Sequence, residues 1–71
     1  MIVRRAKVRD ENEVHYFYVP SVRDESFTLG DEGVVPKMWA NTTGLHVQSG
    51  EDESVYTVYP WHTVLWYEEV R

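Results

Sequence analysis

The final third of the chain constrains the fold more than any other segment. Residues 54–70 read Ser-Val-Tyr-Thr-Val-Tyr-Pro-Trp-His-Thr-Val-Leu-Trp-Tyr-Glu-Glu-Val, so two runs of β-branched and aromatic residues flank Pro60, Trp61 and His62. Such runs favour strands, and a proline can begin one turn of 3-10 helix because no amide hydrogen is needed there. The segment therefore predicts a strand, a tight corner and a closing strand.

Period-two alternation recurs along the rest of the chain, and no segment has the apolar spacing of a long helix. We expect strands over residues 2–9, 14–19, 27–29, 45–49, 54–59 and 64–70, with a 3-10 turn over 60–63. Residues 34–40 contain Pro36, which favours an edge strand or an irregular arm over a central strand. The chain is therefore predicted to be one all-β domain over residues 1–71, a small antiparallel barrel of about five strands.

Two resemblances follow from this pattern. A five-stranded order with a 3-10 turn before the last strand resembles SH3-like and Sm-like barrels, although the N-terminal helix and uridine-binding motif of Sm proteins are missing. The segment Tyr-Pro-Trp-His-Thr-Val-Leu-Trp-Tyr-Glu over 59–68 is similar to the C-terminal corner of small uncharacterised proteins from bacteriophages of actinobacteria. That likeness implies a phage or prophage accessory protein and assigns no catalytic residue.

Composition excludes several classes of protein. The chain has no cysteine, which rules out disulfides and thiolate zinc sites. Four of the first nine residues are charged, where a secretory signal needs an apolar stretch, and no apolar run is long enough to span a membrane. We therefore expect a soluble, cytoplasmic protein, and the resemblance to phage proteins implies the cytoplasm of a bacterial host. A domain of 71 residues also has a thin margin of stability, which favours association with a partner.

The charge of the chain is acidic overall but basic at its beginning. Twelve acidic against seven basic residues give a net charge of −5, which disfavours binding to phosphate backbones. Four of the basic residues nevertheless cluster at Arg4, Arg5, Lys7 and Arg9. In a strand, the last three share a face opposite Ile2, Ala6 and Val8. This pattern favours the solvated face of an edge strand, beside Glu69 of the closing strand; a phosphate-binding stripe is the alternative.

Catalytic and metal-binding signals are weak. The three histidines, His15, His46 and His62, are isolated in the sequence and lack zinc-ligand spacing, so structural roles are expected. Glu68 and Glu69 point to opposite faces of a strand and cannot act on one substrate together. We therefore expect no enzymatic activity, no metal and no cofactor.

The aromatic residues indicate an interaction surface. Along the closing strand, Val64, Trp66 and Val70 are expected on one face and Leu65 and Tyr67 on the other. A strand with two apolar faces is covered on both, here by the arm over 34–40 or by another subunit. The surface is predicted at Trp39, Trp61 and His62, joined by Tyr59 or Trp66 if the arm leaves them open; plugging of the barrel ends is the alternative.

These features predict a non-enzymatic binding or assembly module that acts through protein–protein contacts. The partner is expected to be a second copy of the chain or a host protein. One alternative is a nucleic-acid-binding barrel that uses Arg4, Arg5, Lys7 and Arg9 beside exposed aromatic rings. A second alternative is an inhibitor that presents acidic turns to a basic host protein.

Overall fold

A computed structural model describes residues 2–20 and 32–69 of the chain. Its elements are β1 (Ile2–Asp10), β2 (Glu13–Tyr18), β3 (Met38–Ala40), β4 (Gly44–Gln48), β5 (Tyr56–Pro60), a 3-10 turn (Trp61–Thr63) and β6 (Val64–Glu69). The predicted all-β antiparallel barrel, with a 3-10 turn before the last strand, is confirmed. The strand predicted over 27–29 lies outside the described residues.

The six strands form one sheet with β1 at its centre. Residues 5–10 of β1 pair with β2, residues 2–3 pair with β3, and residues 3–8 pair with β6. The sheet then continues from β3 through β4 to β5, which gives a half-barrel. Lys7 has a pairing partner on each side, Tyr16 and Trp66. The prediction that the basic strand is an edge strand is therefore wrong, whereas its predicted position beside the closing strand is confirmed.

A bulge at Arg4 sets the faces of β1. Val3 pairs with Glu69 and Arg5 pairs with Glu68, although Glu68 and Glu69 are adjacent in β6. Arg4 is therefore an extra residue of β1 with no counterpart in β6. The extra residue turns Val3 inward, where it is fully buried, and leaves Ile2 52% exposed. The expectation that Ile2 shares the buried face with Ala6 and Val8 is therefore wrong.

A second bulge lies at Leu65 in β6. Val64 pairs with the buried Val8, whereas Trp66 pairs with Lys7, so Leu65 is the extra residue of β6. Val64 consequently packs against the core and Trp66 points outward. The prediction that Val64 and Trp66 share a face is wrong, because the bulge reverses the alternation between them.

The core is built from the inward residues of β1, β3 and β4 together with Val35. Its buried members are Val3, Ala6, Val8, Val35, Met38, Ala40, Leu45 and Val47. Phe17 and Tyr59 pack against this core from β2 and β5, and their ring centroids are 5.6 Å apart. Because β2 and β5 do not pair, this ring contact helps to close the open side of the half-barrel.

Residues 34–40 divide into an irregular segment and a strand. Pro36 lies in a bend, where it needs no ladder hydrogen bond, and β3 begins two residues later. Met38 and Trp39 pair with β1 on one side and with β4 on the other, so the prediction of an edge strand is wrong for β3. Because residues 38–40 are part of the sheet, they do not act as an arm over Trp66, which is 42% exposed.

Close backbone packing requires a glycine where β2 approaches the segment before β3. Gly33 has φ +80°, and a Cβ atom there would overlap the carbonyl oxygen of Tyr16. The amide of Tyr18 donates to the Gly33 carbonyl at 2.8 Å, and the amide of Val35 donates to the Tyr18 carbonyl at 3.0 Å. Gly33 therefore fixes this segment against the end of β2. Within residues 2–20 and 32–69, no helix is long and apolar enough to cross a membrane.

Candidate functional site

The outward faces of β2, β1 and β6 form the surface that we call the basic aromatic face. Directly paired residues of neighbouring strands project on the same side of a sheet. The outward residues of β1 therefore share this surface with their partners on either side. Its members are Arg5, Lys7 and Arg9 from β1, Val14, Tyr16 and Tyr18 from β2, and Trp66 and Glu68 from β6.

An aromatic pair lies at the centre of this face. The rings of Tyr16 and Trp66 meet edge to face with their centroids 5.8 Å apart. The two residues are on opposite sides of Lys7 in the sheet, so their rings approach each other across β1. Tyr16 remains 46% exposed and Trp66 42% exposed. A large part of both rings is therefore available to a partner.

The bulge in β1 brings two guanidinium groups onto one tyrosine. The Cζ atoms of Arg4 and Arg5 lie 5.9 and 5.4 Å from the centroid of the Tyr18 ring, within cation–π range. A groove of about 510 Å³ opens beside them, bounded on its far side by residues 32–34. The Nε atom of Arg5 is buried and has no hydrogen-bond partner among the described residues. An anionic group in this groove would find a positively charged wall.

The cations of this face have few carboxylates near them among residues 2–20 and 32–69. Within the described part of the chain, none of Arg5, Lys7 and Arg9 forms an ion pair; the pair seen there joins His15 Nε2 to Glu13 Oε2 at 3.6 Å. Glu68 is opposite Arg5 in the sheet, and Glu32 borders the groove. The face thus keeps an excess of positive charge on a protein whose net charge is −5.

A second group of rings, the sealed aromatic cluster, covers the outer side of β4. It consists of Trp39, His46 and Tyr56. The His46 ring lies 5.1 Å from Trp39 and 5.4 Å from Tyr56, and the latter two rings are 5.3 Å apart. His46 is only 7% exposed as a result. Lys37 extends over Trp39, with its Nζ 5.5 Å from the ring centroid.

The predicted aromatic corner is tied to the fold. Trp61 donates its Nε1–H to the carbonyl of Asn41 at 2.9 Å, and its ring lies 5.2 Å from that of Tyr67. Tyr59 packs against the core, where desolvation and, secondarily, the negative charge of Asp10 raise the pKa of its phenol above its usual value. His62 is exposed in the 3-10 turn between β5 and β6.

The five predicted interaction residues do not form one surface. No two of the rings of Trp39, Tyr59, Trp61, His62 and Trp66 contact each other among the described residues. Trp61 and Tyr59 contact the core, Trp39 covers His46, and Trp66 joins Tyr16. Sequence reasoning missed Tyr16, whose only signal is its place in an alternating strand. It did identify the basic residues of β1. Arg5, Lys7 and Arg9 lie on the same side of the sheet as Trp66, and Arg4 lies at the border of that side, beside Tyr18.

Residues 2–20 and 32–69 contain no cluster of three or more metal-ligating side chains. The chain matches no known protein-family model, no curated protein and no solved structure.

Proposed function

We propose that this protein is a non-enzymatic binding module that acts through protein–protein contacts at its basic aromatic face. The observation that supports the proposal is the Tyr16–Trp66 pair, which is exposed beside Lys7 in a row of cations that form no ion pair within the described residues. Tyrosine, tryptophan and arginine are the residues most enriched at the energetic centres of protein interfaces. The partner that fits is a host protein with an acidic surface.

The origin proposed from the sequence agrees with this role. The segment over 59–68, which resembles the corner of actinobacteriophage proteins, includes Trp66. We therefore infer a phage or prophage accessory protein that acts in the cytoplasm of its bacterial host. Electrostatic attraction between the basic face and an acidic partner would speed association and set its orientation.

A pair of charge-reversal variants tests the working surface. Lys7→Glu and Lys37→Glu each lower the net charge of −5 by two, but Lys7 lies in the basic aromatic face and Lys37 beside the sealed aromatic cluster. Each tagged protein is incubated with an actinobacterial lysate, and the captured proteins are identified by mass spectrometry. We expect wild type and Lys37→Glu to capture the same acidic protein and Lys7→Glu to lose it. Equal capture by Lys7→Glu would refute the assignment of this face.

A second candidate function, binding of single-stranded nucleic acid, is favoured by the same arrangement. Proteins of that class combine a positively charged track with aromatic rings on which bases stack. Arg5, Lys7 and Arg9 supply the track, and Tyr16 and Trp66 supply rings beside it. The acidic net charge works against this function, whereas it does not oppose a local contact with a protein.

Fluorescence anisotropy with a labelled oligo-thymidine separates the two candidates. Nucleic-acid binding requires that the affinity for the oligonucleotide fall as the salt concentration rises from about 50 to about 200 mM. It also requires that Lys7→Glu lose this affinity and Lys37→Glu keep it. The primary proposal predicts no binding of the oligonucleotide by any of the three proteins. Salt-sensitive binding with the stated variant pattern would replace the protein partner with a nucleic acid.

A further inference from the structure

The outer edge of β5 is free. Among the described residues β5 pairs only with β4. The amide of Ser49 donates to the carbonyl of Val55 at 3.0 Å, and antiparallel ladders alternate, so Thr57 and Tyr59 direct their backbone groups toward β4. The N–H and C=O groups of Tyr56 and Val58 consequently point away from the sheet, where a further strand can bind them.

Along residues 55–59 this edge lacks the charges, bulge and bridging segment found at the described edges of β6 and β2, although Pro60 at its end has no amide hydrogen to donate. Natural edge strands are usually guarded by charged residues, bulges or a covering segment. β6 has the bulge at Leu65 and the carboxylates of Glu68 and Glu69. β2 begins with Glu13, and its end is bridged by Val34. Residues 55–59, Val-Tyr-Thr-Val-Tyr, contain neither a charge nor a bulge.

The exposed side chains of β5 are apolar as well. Val55 is 52% exposed, Tyr56 47% and Val58 37%. Tyr56 and Val58 share the outer side of the sheet with the sealed aromatic cluster, because Val58 pairs with His46. A strand added to this edge would extend that apolar surface and cover these side chains.

We propose that β5 binds β5 of a second copy of the chain, antiparallel, across a twofold axis at Thr57. In this register Tyr56 lies opposite Val58 of the partner subunit, and the two residues exchange both of their backbone hydrogen bonds. The twofold axis repeats the exchange, so four hydrogen bonds join the strands. Each tyrosine ring also meets a β-branched valine on the same face, a favourable cross-strand pair.

Charge favours an identical copy as the occupant of this edge. The strand is uncharged over residues 55–59, so two copies meet without repulsion between like charges. In an antiparallel pair centred on Thr57, the acidic turn over 51–53 of one copy lies toward the end of the partner's strand that leads into the turn over 61–63, which carries one basic and no acidic residue. The dimer leaves the basic aromatic face open on both copies and stands independently of the proposed function.

Light scattering coupled to size-exclusion chromatography tests the dimer with two matched variants. Val58→Lys places a charge on the proposed interface, and Leu65→Lys places the same charge at an exposed position of β6. At high micromolar concentration, wild type and Leu65→Lys should have twice the monomer mass of 8.4 kDa. Val58→Lys should have the monomer mass, and its circular dichroism spectrum should show the same β-sheet content as wild type. A monomeric wild type, or a dimeric Val58→Lys, would overturn the proposal.

Amide hydrogen exchange of the wild-type protein provides the test that needs no variant. The amides of Tyr56 and Val58 should exchange more slowly at high than at low protein concentration, because the dimer protects them. The amide of Thr57, which bonds to β4, should not depend on concentration in this way. Exchange at Tyr56 and Val58 that is the same at both concentrations would contradict the dimer even if Val58→Lys fails to fold.

Discussion

The sealed aromatic cluster and the Tyr16–Trp66 pair both lie on the outside of the sheet, but they differ in what they cover. Trp39 and Tyr56 lie over β4, whose five residues are all buried, and they enclose His46. Tyr16 and Trp66 lie on either side of Lys7 and leave the cations of β1 beside them. The first group buries His46 and leaves only Tyr56 largely exposed, whereas both rings of the second group are largely exposed.

This difference shows that aromatic content alone does not locate a binding surface. In both groups two rings meet across an intervening strand, with centroid distances of 5.8 Å for Tyr16–Trp66 and 5.3 Å for Trp39–Tyr56. What separates the two groups is the strand beneath them. The rings over β4 cover the outer side of a strand that is buried throughout, whereas the rings beside a row of lysine and arginine are flanked by charges that stay in water.

Replacing Trp61 should have the largest effect, at the corner where β5 turns into β6. Trp61→Ala removes a ring that packs on the core and the donor to the Asn41 carbonyl, and truncation of a buried tryptophan typically costs about 3–5 kcal/mol of unfolding free energy. Trp61→Phe keeps most of the ring and should lose about 0.5–1.5 kcal/mol with the hydrogen bond. Urea denaturation measures both. An unchanged midpoint for Trp61→Ala would show that the corner is not a plug.

Truncation of His46 should have the next largest effect and tests the sealed aromatic cluster directly. His46→Ala removes two ring contacts, each worth about 0.5–1.5 kcal/mol, so we expect a loss of about 1–3 kcal/mol. His46→Phe retains a ring and eliminates the Nδ1 atom, which is buried without a hydrogen-bond partner among the described residues. It should be at least as stable as wild type in urea. A destabilised His46→Phe would mean that the imidazole has a specific role.

Removal of the Tyr59 hydroxyl should have a smaller effect, visible only at alkaline pH. Desolvation and the nearby Asp10 raise the pKa of Tyr59 in the folded state. Above about pH 10 the unfolded chain therefore releases this proton more readily than the folded chain, and stability falls as the pH rises toward the folded pKa. Tyr59→Phe should weaken this decline in the urea midpoint while matching wild type at neutral pH. An identical decline in both proteins would contradict the assignment.

Local patterns predicted the order of the strands well. The alternation over 2–9, 14–19 and 45–49 and the proline at position 60 specify strands and a corner through nearest neighbours in sequence. The bulges at Arg4 and Leu65 were not predictable in this way, since both arise from pairing between β1 and β6 at opposite ends of the described chain. Pro36 misled the prediction of β3 because it lies two residues before the strand rather than within it.

The candidate site was only half predictable for the same reason. The basic residues of β1 stand out as a cluster in the sequence, and Trp66 stands out in an aromatic run. Tyr16 becomes part of the site only because Lys7 pairs with Tyr16 on one side and Trp66 on the other. The shift of Trp66 to the basic side depends on the bulge at Leu65. Both facts are properties of long-range pairing and leave no mark in local composition.

We propose that Trp66 belongs to a binding surface, whereas Trp39 belongs to the fold. The most direct test is the unfolding free energy of Trp66→Ala, measured in urea beside Trp39→Ala. Among the described residues Trp66 makes one ring contact and Trp39 makes two, so we expect losses of about 0.5–1.5 and about 1–3 kcal/mol respectively. A loss of about 3–5 kcal/mol in Trp66→Ala, as for a buried tryptophan, would contradict the account.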